Sequence, residues 1–84
     1  MFGPIPTKGG DVVISYSGNA APDYCIWLVD SDNQQKPKGS VGTIRVGTRA
    51  EAEDTAHEIA SDTRGRIFIA DEDSGEWDRL LSHI

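Results

Sequence analysis

The chain has 84 residues, one cysteine (Cys25) and a net charge of −6. Its length makes it one domain that hides only about 60% of its unfolded surface, and a lone cysteine excludes an intrachain disulfide. No apolar run reaches the roughly 20 residues that cross a bilayer, and the first residues carry no secretory signal pattern, so a soluble, cytoplasmic protein is expected.

The charge is unevenly spread. Residues 1–48 carry four acids and four bases, whereas residues 49–84 carry ten acids and four arginines and so hold the whole −6. Such a balance repels phosphate backbones, so direct nucleic-acid binding is not expected. The same balance leaves open an acidic patch that docks on a basic protein partner. The plainer account is a solvated face that keeps a small protein soluble.

Residues 1–10 hold Pro4, Pro6, three glycines and Lys8. They read as an extended, flexible arm, with Phe2 and Ile5 as the side chains able to tack it down. The single folded domain is expected over 11–84. Residues 11–17 read as a strand, Val12, Ile14 and Tyr16 facing one way and Val13 and Ser15 the other. A turn follows at Gly18, Asn19 and Pro22.

Residues 24–30 are the most apolar run. Tyr24, Ile26 and Leu28 share one face; Cys25, Trp27 and Val29 share the other. Both faces are apolar, which suits a strand covered on both sides. A polar connection over 31–39 leads to a third strand, 41–46, where Gly42 marks a weak point or a bulge. These three strands read as an antiparallel meander.

The clearest element is the helix within 48–65. Thr48 supplies an N-cap and Glu51 follows three residues later, a capping box. Gly65 stands where a left-handed C′ residue is wanted. Ala52, Ala56, Ile59 and Ala60 form one face. Glu53, Asp54, Glu58 and Asp62 form the outer one. Arg66 to Ala70 reads as a short strand entered straight from the helix. The crossover makes the third and fourth strands parallel, leaving open whether they touch.

An acidic turn then holds Asp71, Glu72 and Asp73. In the tail, Trp77, Leu80, Leu81 and Ile84 have helical spacing and predict a short C-terminal helix. The competing reading is a hairpin turning at Ser74-Gly75, with Trp77, Arg79 and Leu81 alternating. The expected fold is therefore α+β, in the order β-β-β-α-β-α, as a two-layer sandwich.

The run Thr48-Arg-Ala-Glu51-Ala52, a helix, and then Arg64-Gly65-Arg66-Ile67-Phe68-Ile69 resembles a group of short bacterial proteins of unknown function. Their pattern is a hairpin, a helix opened by Thr-x-x-Glu-Ala, and a strand ending at an Asp/Gly turn. The resemblance covers residues 44–75. After the turn that group continues with a basic and then an aliphatic residue, where this chain has Glu76-Trp77. The resemblance implies a fold and no activity.

No motif carries chemistry. Asp71, Asp73 and Gly75 mimic the start of a calcium loop, but position 6 is Glu76 and position 12 is Ser82, where an EF-hand needs glycine and glutamate. His57 and His83 with one cysteine give no metal spacing. A nucleophilic site from Cys25, His57 and an aspartate is conceivable, yet a thiol inside an apolar strand is usually inert packing. Gly39, Gly42 and Gly47 make no phosphate loop. Trp27 and Tyr24 read as core aromatics.

No cofactor and no catalysis are expected. The expected function is a protein–protein interaction module, with Glu53, Asp54, Glu58, Asp62, Asp71, Glu72 and Asp73 as its acidic surface. An inhibitor that mimics nucleic-acid charge is the alternative. The tail is expected to cover the sheet face that the helix leaves bare, giving a monomer or a weak homodimer.

Overall fold

A computed structural model describes residues 5–16, 23–34, 36 and 43–80. The strands are β1 (Val12–Tyr16), β2 (Tyr24–Leu28), β3 (Ile44–Val46), β4 (Ile67–Asp71) and β5 (Trp77–Leu80), with helix α1 (Arg49–Thr63) between β3 and β4. They form one mixed sheet in the order β3-β2-β1-β4-β5. The meander is present: β2 pairs antiparallel with β1 and with β3. β1 and β4 are parallel and β5 returns antiparallel to β4. β3 and β4 therefore share a direction, but β2 and β1 lie between them.

That order dictates where the helix lies. The chain leaves β3 at its Val46 end and must re-enter the sheet three strands away, at the opposite end of β4. A 15-residue helix is about 22 Å long. Three strand spacings of about 4.8 Å and a strand length of about 17 Å give a diagonal of about 22 Å. The helix spans the sheet corner to corner. Its alanine stripe makes this close approach possible. Ala52, Ala56 and Ala60 are buried against Val12, Ile14, Ile26, Ile67 and Ile69.

The predicted N-cap is present: Thr48 Oγ1 accepts from the Glu51 amide at 3.2 Å. The C-terminal expectation needs correction. The left-handed residue is Arg64, at φ 58°. Gly65 has a different task. A Cβ there would overlap the Gly10 carbonyl and crowd Asp11 Cα. Gly65 is what lets the end of the helix touch the start of β1.

The C-terminal helix is not formed. Residues 77–80 are β5, as the hairpin alternative has it; Leu81 and Ile84 lie outside the described residues. The turn decides this. Asp71 N–H donates to Glu76 O at 2.8 Å, which sets the chain beyond Glu76 alongside β4. A short helix would first have to meet its nucleation cost. Strand alternation then sends Leu80 to the helix side and Trp77 to the other face, where it meets Phe68 edge-on at 5.7 Å.

The second face is closed by the start of the chain as well. Of the segment expected as an arm, residues 5–10 are described and fastened. Ile5 is buried with Val13, Trp27, Val29 and Phe68. Asn33 N–H donates to Thr7 O at 2.6 Å and Gly10 N–H to Val29 O at 2.8 Å. Phe2 lies outside the described residues.

The fastening converges on one ion pair. The Asp11 carboxylate is buried, and accepts from Lys8 N at 2.8 Å, Arg66 N at 2.8 Å and Arg66 Nη2 at 2.7 Å. The same Nη2 donates to Pro6 O at 2.8 Å. Burial pushes the Asp11 carboxyl up. The hydrogen bonds from Arg66 and Lys8, with the guanidinium charge, outweigh it and hold the carboxyl below its ordinary value.

A lowered folded-state value means that the ionised form stabilises the fold. That contribution is complete above the unfolded value of about 3.9 and is lost as pH falls through the lowered one. Asp11→Asn is expected to cost about 2 kcal/mol at neutral pH, the scale of lost hydrogen bonds to a charged group. In urea titrations the gap between the two proteins should narrow below about pH 4. A gap that stays constant down to pH 2 would contradict this.

Candidate functional site

The diagonal helix leaves two corners of its sheet face open. At one, beyond the Leu28 end of β2, Leu28 is 38% exposed and Ile44 41% exposed. At the other, near the C-terminal ends of β1 and β4, lies a cavity of about 250 Å³. Tyr16 and Ile69 supply its apolar surface, Asp71, Glu76, Asp78 and Arg49 its charges, and Trp77 borders it from the strand while its ring packs on the other face. Ends of parallel strands are a recurrent place for ligands in open sheets.

Each side chain is there for a local reason. Tyr16 ends β1 and leans on Tyr24 across the ladder, ring centres 5.4 Å apart. Arg49 is the first residue of α1 and pairs with Glu53 at 3.0 Å, one helical turn on. Both partners are exposed, so the pair contributes little to stability. Glu76 and Asp78 share a face because they are two residues apart in extended chain. Three carboxylates face one guanidinium, so the cavity is negative. It suits an organic cation with an apolar stem.

The acidic residues named from sequence fall in two places. Glu53, Asp54, Glu58 and Asp62 lie along α1, where Asp54, Glu58 and Asp62 are exposed. Asp71, Glu72 and Asp73 lie at the β4–β5 turn. Only Asp71 reaches the cavity. Its Oδ1 is occupied by the turn, accepting from Asp73 N at 2.9 Å and Ser74 N at 3.5 Å. Gly75, at φ 75°, closes the turn in a conformation glycine tolerates.

Glu76 and Asp78 were missed as site residues, because a helical tail would have split them between faces. Alternating acids after a Ser-Gly turn were the available signal.

The Cys25–His57 arrangement is not assembled. Cys25 alternates with Ile26, which faces α1, so the sheet separates the thiol from the helix that carries His57. Trp27 is 3% exposed and belongs to the second core. Among the described residues no group of three His, Cys, Asp or Glu could hold a metal ion. No helix among them is long and apolar enough to cross a membrane. Gly39, Gly42 and His83 lie outside the described residues.

Comparison with protein-family models, with curated proteins and with solved structures finds no match.

The side-chain bonds of Asp71 to the turn amides can be tested directly. Asp71→Ala should cost about 1 kcal/mol through loss of its side-chain-to-amide bonds, whereas Asp71→Asn keeps an acceptor and should cost little. Chemical denaturation of both variants checks it. Equal losses would mean that the charge of Asp71, not its acceptor geometry, holds the turn.

Proposed function

We propose that the protein is a small protein–protein interaction module that takes a basic side chain of a partner in the cavity between Tyr16, Ile69 and the carboxylates of Glu76 and Asp78. One observation carries this. The Tyr16 ring and the carboxylates of Asp71, Glu76 and Asp78 meet in one cavity. Aromatic surface holds the methylene stem of lysine or arginine, and carboxylates take the charged head. The module is read as a monomer, or at most a weak dimer, and as carrying no catalytic activity.

A second reading rests on the helix. Asp54, Glu58 and Asp62 are exposed and recur every four residues, about 6 Å apart along the axis. An evenly spaced row of negative charge supports the mimic of nucleic-acid charge.

One calorimetric titration separates the two. A short lysine- and arginine-rich peptide should bind in a salt-sensitive way. Glu76→Lys should weaken it at least tenfold and Asp54→Lys by less than twofold. The reverse pattern would replace the cavity reading with the charge mimic.

A further inference from the structure

Strand β5 forms an edge of the sheet among the described residues. Its pairing with β4 fixes which backbone groups face outward. The Asp71 N–H to Glu76 O bond makes residues 71 and 76 a hydrogen-bonded pair. In an antiparallel ladder such pairs alternate, so Asp78 with Ile69 and Leu80 with Ile67 follow suit. The backbone N–H and C=O of Arg79 then point away from β4.

That outward N–H is covered. Asp78 Oδ1 accepts it at 2.9 Å. The carboxylate that lines the cavity thus also caps the edge donor. Exposed strand edges invite unwanted pairing, and charged residues blunt them. Here the blunting group is one that a cation can draw aside.

Resting on the cavity reading above, we propose that β5 accepts an extended, basic segment of the partner as a sixth strand, and that a lysine or arginine opposite Asp78 opens the edge by pulling its carboxylate off the Arg79 amide. Main-chain hydrogen bonds to an edge supply affinity in such additions and alternate side chains supply specificity. The register follows from the residues. Leu80, Asp78 and Glu76 lie on the cavity face, with Arg79 on the other. An antiparallel strand would place an apolar residue opposite Leu80, an acid opposite Arg79, and basic residues opposite Asp78 and Glu76. Cross-strand neighbours at this range are close enough to interact. The partner segment reads apolar–acidic–basic–any–basic. β3 does not offer the same chemistry. It has three residues, and its central side chain is Arg45.

The test uses the full chain and a blocked peptide, leucine-glutamate-lysine-threonine-arginine. It should bind with a dissociation constant below about 1 mM and slow hydrogen exchange at the Arg79 amide. N-methylation of the peptide glutamate, which removes its bond to the edge, should weaken binding at least tenfold. Replacing lysine and arginine by threonine should weaken it as much. Equal binding of the N-methylated peptide, with both peptides lost on Glu76→Lys, would overturn strand addition and leave the cavity reading standing. Equal binding of the neutral peptide would overturn the opening of the edge by charge. Binding of none of the three would overturn both readings.

Discussion

The structure depends on the ion pair between Asp11 and Arg66. Buried ion pairs often repay little more than their desolvation. This one is different in what it joins. Asp11 immediately precedes β1, Arg66 immediately precedes β4, and Lys8 and Pro6 belong to the segment that closes the second face. One carboxylate therefore fixes the parallel strand pair and the covering segment together. Around it, Val12 N–H donates to Arg66 O and Val29 N–H to Asp11 O, both at 2.8 Å. The guanidinium also lies over the Phe68 ring, 5.1 Å from its centre. Removing either partner would strand the other near a core with few substitutes.

The clasp and the helix explain each other. Strand order forces α1 onto the diagonal, and the diagonal ends where Gly65 meets Gly10. That contact admits no side chain at Gly65, so the helix end, the turn at Gly10 and Asp11 form one rigid corner. Gly10 sits at φ 99°, and its carbonyl accepts from Thr63 Oγ1. The opposite consequence is functional. A diagonal helix leaves uncovered the corner where β1 and β4 end, and there the acidic cavity forms. Fold and site are the same geometric fact seen at two ends of the sheet.

What was legible in the sequence was local. Thr48 and Glu51 announced a helix start. Ala52, Ala56 and Ala60 announced its buried stripe, and two-sided apolar runs announced strands with both faces covered. What was not legible was non-local. Asp11 and Arg66 are 55 residues apart, and neither stands out alone. Gly65 was misassigned because a glycine after a helix usually serves as its left-handed cap; its steric role appears only once Gly10 is beside it. The tail failed for another reason. Trp77, Leu80, Leu81 and Ile84 satisfy helical spacing, while Trp77, Arg79 and Leu81 also alternate as in a strand, and so short a tail does not separate the two periods. The turn bond at Asp71 settles it, and that bond is tertiary in effect. Glu76 and Asp78 became cavity residues only with that correction.

The most direct test of the central claim is a double-mutant cycle on Asp11→Asn and Arg66→Gln, read by urea denaturation at pH 7. If the clasp is a single coupled unit, the two losses are strongly non-additive, with a coupling of about 2 kcal/mol, within the range for contacting partners. Additive losses would contradict the account. They would mean that the two side chains stabilise the fold separately and that the corner is held by Gly65 packing and backbone bonds alone.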